Sequence, residues 1–193
     1  MNAQDQPWPQ AIYAQNRSNV MDLSKISAGD KAPDEVNVVI EIPKGGQPVK
    51  YEIDKDSGAV MVDRFMTAAM FYPADYGFVP NTLAADNDPI DVLVVTRASV
   101  VPGCIIRCRP IGVLHMEDDG GGDDKIVAVP VTKLDPYYAD INSCDDLPEI
   151  FRDQIKHFFE RYKDLEKGKW VKVGGWSGPE EAKRLIQESI DNA

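Results

Sequence analysis

From residue 35 onward, apolar positions fall into short blocks separated by glycine, proline and acidic turns. Val36-Asn-Val-Val-Ile-Glu-Ile42 is β-branched and partly alternating, and Pro43 with Gly45-Gly46 stops it. It reads as a strand, because branched side chains suit a pleated surface and turn residues interrupt it. Val49-Lys-Tyr-Glu-Ile53 alternates cleanly, which puts Val49, Tyr51 and Ile53 on one face and Lys50 and Glu52 on the other. A turn at Asp56-Ser57-Gly58 brings the chain back over Ala59–Val62, which predicts a hairpin. Further strands are predicted over Ile90–Thr96, over Cys104–Met116 with Pro110 as a bend or edge position, and over Lys125–Val129.

The period then changes. Leu147, Phe151, Ile155, Phe158, Tyr162 and Leu165 recur at steps of four or three, one face of an amphipathic helix that Gly168 ends. Lys169–Val173 reads as a final strand. Ser177-Gly-Pro-Glu180 matches a capping box with Ser177 as N-cap, opening a last helix whose Ala182, Leu185, Ile186 and Ile190 face inward. The pattern is that of an α+β protein: a small β-barrel with helices packed outside. Residues 1–20 are polar and aperiodic, and read as a leader before a single domain over residues 21–193. They lack the basic start and apolar stretch of a secretory signal.

Composition narrows the function classes. A chain of 193 residues suits one domain with a real core. No apolar run approaches the roughly 18–20 residues needed to span a bilayer. Lys and Arg number 21 against 32 Asp and Glu, a formal charge of −11. That excess repels phosphate backbones, so nucleic acid and anionic membranes are poor partners. Three cysteines, Cys104, Cys108 and Cys144, argue against a disulfide framework and for buried or half-buried thiols in a cytoplasmic protein. Walker A, His-Glu-x-x-His and Gly-x-Ser-x-Gly motifs are missing; Gly175-Trp-Ser-Gly178 has the wrong spacing for the last.

Position shows where the excess carboxylate gathers. Asp86-Asn-Asp-Pro-Ile-Asp91 holds three carboxylates in six residues. Pro89 stiffens the turn and Ile90 begins a strand, so Asp91 stands on a rigid strand start with Asp86 and Asp88 on the loop before it. Such crowding costs Coulomb energy unless cations sit among the carboxylates. Hard oxygen ligands at this spacing suit Mg²⁺ or Ca²⁺. An EF-hand is excluded, because its fifth, sixth and twelfth positions would be Ile90, Asp91 and Arg97. A second acidic cluster, Glu117-Asp-Asp-Gly-Gly-Gly-Asp-Asp-Lys125, sits between two predicted strands. The two loops are placed to meet at one mouth of the barrel. Lys50, Arg64, Lys125 and the Tyr162-Lys163 pair supply cations and a phenol beside them. Carboxylates with cations and phenols describe a site for a highly charged phosphate anion. Two rival classes use part of this set: a non-catalytic cation-binding barrel, and an oligonucleotide-binding barrel, against which the net charge speaks.

The chain resembles the family I soluble inorganic pyrophosphatases of bacterial type. Asp86–Asp91 fits that family's signature Asp-x-Asp-Pro-apolar-Asp. Glu41-Ile-Pro43, Lys50-Tyr-Glu52, Val62-Asp-Arg-Phe65, Phe71-Tyr-Pro73, Tyr76-Gly77, Arg107–Gly112 and His157–Trp170 also look like family sequence, from about Asp22 to the C-terminus. The resemblance implies Mg²⁺-dependent hydrolysis of pyrophosphate to two phosphates, with several Mg²⁺ ions in the site. By the same resemblance Asp86, Asp91 and Asp123 are metal ligands, Asp118 is a ligand of a substrate-associated metal, and Glu41 and Glu52 act around them through water. Asp88 is the implied general base. Lys50, Arg64, Tyr76, Tyr162 and Lys163 are implied phosphate contacts, with Lys125 and Tyr72 nearby. The implied fold is a five-stranded barrel of OB type and the implied assembly a homohexamer. Some hexameric relatives carry a second histidine one helical turn after His157, where this chain has Arg161.

Overall fold

The computed structural model describes residues 21–193; the polar leader assigned to residues 1–20 lies outside the described residues. The strands are β1 (Val36–Ile42), β2 (Val49–Ile53), β3 (Val60–Phe65), β4 (Asp75–Phe78), β5 (Asp91–Val94), β6 (Ile105–Asp118), β7 (Gly121–Gly122), β8 (Lys125–Pro130) and β9 (Val171–Ser177). Helix α1 (Glu149–Arg161) precedes β9 and helix α2 (Pro179–Asp191) follows it.

Five strands close a ring. β1 pairs with β4, β4 with β5, β5 with β8, β8 with β6, and β6 returns to β1. Every pair is antiparallel except β5–β8. β6 has 14 residues and bends at register shifts between Pro110 and Gly112 and between Leu114 and Met116. Those shifts let one strand serve β1 with its first part and β8 and β9 with the rest. The bend at Pro110 matches the sequence expectation. This ring of OB type, with two helices outside it, is the expected α+β architecture.

Both faces of the ring are buried, which is why its strands read as nearly continuous apolar runs. Val36, Val38, Ile40, Val92, Val94, Ile126 and Ala128 pack with Ala182 and Ile186 of α2. The alternate positions Ile42, Leu93, Val127 and Val129 pack in one cluster with Ile155, Phe158 and Phe159 of α1. The β2–β3 hairpin stands apart as a two-stranded sheet.

Four expectations change. α1 ends at Arg161, and tight turns closed by Asp164 N to Arg161 O and Glu166 N to Lys163 O follow it. These turns rotate Leu165 off the helical stripe, so it is exposed rather than packed. The strand predicted over Lys169–Val173 lies later, over Val171–Ser177. β4 escaped the sequence reading because four residues are too few to show a period. Ser177 does not cap α2: Gly178 occupies the N-cap with no side-chain bond, and the Ser177 hydroxyl is engaged with His115 Nε2 at 2.8 Å.

Candidate active site

The two acidic loops meet at one end of the ring, each built on a strand that fixes it. Asp91 opens β5, as expected. The loop before it is tied at both ends by buried Thr82, whose Oγ1 donates to Val79 O at 2.6 Å and accepts from Ile90 N at 3.0 Å. Asp86 Oδ1 accepts from Asp88 N at 3.0 Å, turning the chain through Asn87 at φ 68°. Asparagine is among the side chains that best tolerate that left-handed conformation. Leu83 N donates to Ser189 O of α2 at 2.7 Å, which anchors the loop to the C-terminal helix.

The second loop is the hairpin from β6 to β8. Asp118 closes β6, and its Oδ1 accepts from Gly120 N at 2.7 Å. The short strand β7 folds back on Glu117 and Asp118, with Gly121 at φ 119°. Few residues other than glycine take that conformation. Asp123 follows, its N–H donating to Met116 O at 2.9 Å.

A cavity of about 320 Å³ brings the predicted residues together. Asp86, Asp88, Asp91, Asp118 and Asp123 line it from the two loops, and Lys125 from the start of β8. Lys50 of β2, Arg64 of β3, Tyr76 of β4 and Tyr72 enter from the opposite wall, with Tyr162 and Lys163 from the end of α1. Glu41 of β1 and Glu52 of β2 line an adjoining cavity that shares Lys50, Tyr76, Asp86, Asp88 and Asp91. Every residue to which the resemblance assigns a role therefore falls at one mouth.

Sequence reasoning missed Lys55 and Lys169, and placed Asp119 only as one member of the second acidic cluster. Lys55 Nζ lies 2.6 Å from Asp88 Oδ1, and Lys169 pairs with Asp119. A lysine in a turn carries no pattern of its own, so neither partnership had a signal to find.

The phenols and cations are held firmly. Tyr72 packs on Phe158 at 4.6 Å between centroids, and Phe158 stacks on Tyr162 at 5.2 Å. Burial, reinforced by neighbouring acidic groups, pushes the Tyr72 and Tyr76 hydroxyls well above their ordinary value. They stay protonated, and so remain donors, throughout the neutral range. Lys163 Nζ lies 2.6 Å from Asp118 Oδ2. Burial pushes Asp118 upward, but Lys163 and the Gly120 N–H outweigh it and hold the carboxyl low. Lys50 contacts Glu52 at 2.5 Å and Asp63 at 3.2 Å. Lys125 is only 2% exposed. Its ammonium sits between Asp91, at 2.5 Å, and Asp123, over the Tyr76 ring.

The donor set fits a hard divalent cation. Among the described residues no three carboxylates close on a single point, because lysines stand between them. Mg²⁺ keeps several waters and takes only one or two carboxylates with phosphate oxygens, so spread aspartates suit it better than a closed cage would. Burial raises Asp86, and it raises Asp123 to about 6 against the pull of Lys125. A cation among them would reverse that cost.

Burial also pushes Glu41 to about 7, although Ile53 N donates to its Oε1 at 2.8 Å. A carboxyl raised in the folded state binds more protons folded than unfolded between about pH 4.5 and 7. Stability of the metal-free protein therefore falls as pH rises through that window, by about 3 kcal/mol from this group. Glu41→Gln keeps the acceptor and removes the titration. Denaturant unfolding in EDTA should show a flatter pH profile for the variant; an unchanged slope would assign the fall to other groups.

A ring of OB type whose mouth pairs carboxylates with lysines, an arginine and buried tyrosines belongs to a class defined by its family: hydrolases of phosphoanhydride bonds. Residues 38–193 match the sequence profile of the family described as inorganic pyrophosphatase. An inorganic pyrophosphatase of Caulobacter vibrioides is 60% identical over 170 residues, 88% of this chain and 96% of the relative. One from Pseudomonas aeruginosa is 57% identical over 170 residues, 88% of this chain and 97% of its own. The solved inorganic pyrophosphatase of Thermus thermophilus superposes with a TM-score of 0.84 at 44% identity, covering 89% of this chain and 98% of that one. The chain belongs to the inorganic pyrophosphatase family, in its bacterial family I form.

Proposed function

We propose that the chain hydrolyses pyrophosphate to two orthophosphates with Mg²⁺ and that Asp88 is the general base. The observation that carries this reading is the shared mouth: five aspartates from two loops face Lys50, Arg64, Lys163 and three buried tyrosines. A cation-binding barrel would leave those cations and phenols idle. An oligonucleotide binder would need a basic face, and the chain carries a charge of −11.

Asp86, Asp91, Asp118 and Asp123 would hold Mg²⁺, with Glu41 and Glu52 acting through water. Bound there, Mg²⁺ supplies charge neutralisation and lowers the pKa of a water it coordinates. Arg64 reaches the mouth with its Nε held 3.5 Å from Glu166 Oε1, and its guanidinium would meet a phosphate oxygen there. Lys50 and Lys163 each carry ammonium protons for the same anion. Tyr162 and Tyr76 donate hydroxyls to its oxygens. Asp88 hangs over the mouth largely exposed; Lys55 holds its Oδ1, and the other carboxylate oxygen would take the proton of the attacking water and pass it to solvent. The P–O bond to the leaving phosphate breaks as the new one forms, and the emerging charge faces lysine and arginine. No covalent enzyme intermediate is required.

The test is phosphate release from pyrophosphate with and without Mg²⁺. Fast, metal-dependent release is expected; folded protein giving none with any divalent metal would remove the reading. The chain is further proposed to form a homohexamer in the cytoplasm. Exposed Phe71 and Ile150 and unpaired cysteines support this. Sedimentation should give six times the chain mass, and a monomer at micromolar concentration would exclude the assembly. No described helix is long and apolar enough to cross a membrane.

A further inference from the structure

His115 is the centre of a bonded chain that the mouth itself does not use. Its Nδ1 lies 3.0 Å from Asp124 Oδ2 and its Nε2 lies 2.8 Å from Ser177 Oγ. A carboxylate only accepts, so Asp124 accepts from Nδ1–H, and Nε2 and the Ser177 hydroxyl share the second hydrogen bond. The other oxygen, Asp124 Oδ1, accepts from Met116 N at 3.1 Å. Met116 O in turn accepts from Asp123 N at 2.9 Å. Met116 and the Asp123-Asp124 pair thus clasp the base of the glycine-rich hairpin that carries Asp118 and Asp123.

β9 is shaped around this histidine. Leu114 pairs with Trp176 and Met116 with Val173, so Gly174 and Gly175 together oppose His115. A bulge of two residues against one redirects the strand locally. A Cβ on Gly174 would fall 3.1 Å from His115 O and 3.3 Å from His115 Cβ, so glycine permits the approach. The bulge brings the end of β9 to where Ser177 meets the ring.

Serine, histidine and aspartate in hydrogen-bonded series also form the triad of acyl-transfer enzymes. The rest of that machinery is missing here. Ser177 ends β9, paired with Val113, rather than sitting on a sharp strand-to-helix elbow. Neither Ser177 nor His115 lines the cavities at the acidic mouth. What the series touches instead is the hairpin of the metal site.

We propose that His115 is a positioning residue: held by Ser177, it fixes Asp124 against the Met116 amide and so sets how the hairpin presents Asp118 and Asp123 to Mg²⁺. The proposal rests on the metal roles assigned to those two aspartates. Partners of metal ligands typically change affinity by about 10–100-fold when removed, and His115 acts one bond further out.

The experiment is calorimetric titration of Mg²⁺ into the substrate-free protein, with thermal unfolding and turnover alongside. His115→Ala should raise the Mg²⁺ dissociation constant about three- to tenfold. Turnover at saturating Mg²⁺ and the melting temperature should stay close to wild type. His115→Asn, which keeps a short N–H donor for Asp124, should restore most of the affinity, and Ser177→Ala should show a smaller rise. Wild-type affinity in His115→Ala overturns the proposal. Equal losses in the Ala and Asn variants also overturn it, because they assign the effect to packing. Wild-type protein that binds Mg²⁺ but releases no phosphate would instead overturn the proposed reaction, leaving the affinity comparison readable.

Discussion

Asp88→Asn lowers pyrophosphate turnover by about a hundred- to ten-thousandfold at saturating Mg²⁺, the range spanned by a lost general base. The substitution is nearly isosteric. The backbone of residue 88 is held from both sides, by Asp88 N to Asp86 Oδ1 at 3.0 Å and by Ala84 N to Asp88 O at 2.8 Å. The side chain is 69% exposed, so folding has little stake in it. An amide keeps the shape and an oxygen for Lys55, but cannot take a proton from water at neutral pH. Asp88 is not among the residues assigned to hold Mg²⁺, so half-activation by Mg²⁺ should stay near wild type. Phosphate release across a Mg²⁺ titration separates the two quantities. Turnover within a few-fold of wild type would take the base role from Asp88. A large shift in Mg²⁺ dependence would make it a ligand instead.

Lys125→Met is expected to have the largest effect on stability, about 3 kcal/mol in EDTA. The ammonium lies between Asp91 and Asp123 and is buried on all sides. Removing one member of a buried pair strands the other, at a typical cost of about 3–5 kcal/mol. Two carboxylates are stranded here, but both reach the wet mouth, with side-chain exposures of 22% and 13%, which favours the lower figure. Mg²⁺ should return part of the loss, because a divalent cation supplies the missing counter-charge and binds only the folded protein. Urea unfolding with and without Mg²⁺ measures both effects. An unchanged midpoint in EDTA would show that solvent already screens the two aspartates.

The two variants probe different layers of one design. Asp88 stands at the open edge of the mouth, where the proposed role has it act on water. Lys125 lies beneath it and keeps like charges together before any cation arrives. In the sequence the lysine groups with the phosphate contacts, because a cation beside an acidic loop has the same signature either way. Its burial between two carboxylates is a property of β8 lying parallel to β5, with Val92 opposite Ile126. That pairing joins segments more than thirty residues apart, so no local pattern announces it.

The sequence by itself determined the class of the fold and named the residues that the fold gathers at one mouth. Alternation marked β1 and β2, a helical stripe marked α1, and the spacing of Asp86, Asp88 and Asp91 announced a cation site on a strand start. These signals are local, since a period of two or of three to four and a crowded charge cluster are visible within a dozen residues. Tertiary structure decided which strands close the ring, and so which carboxylates lie under lysine and which face water. It decided that Leu165 leaves the helical stripe, because the chain tightens after Arg161. It also decided the fate of Ser177. Four residues, Ser-Gly-Pro-Glu, matched a helix cap, yet the hydroxyl bonds a histidine 62 positions earlier in the chain. A cap and a long-range partner compete for the same lone pair and proton, and the bulge at Gly174-Gly175 settles the competition. Propensity is a weak local preference of about 1 kcal/mol, and the pairing of β9 with β6 outweighs it.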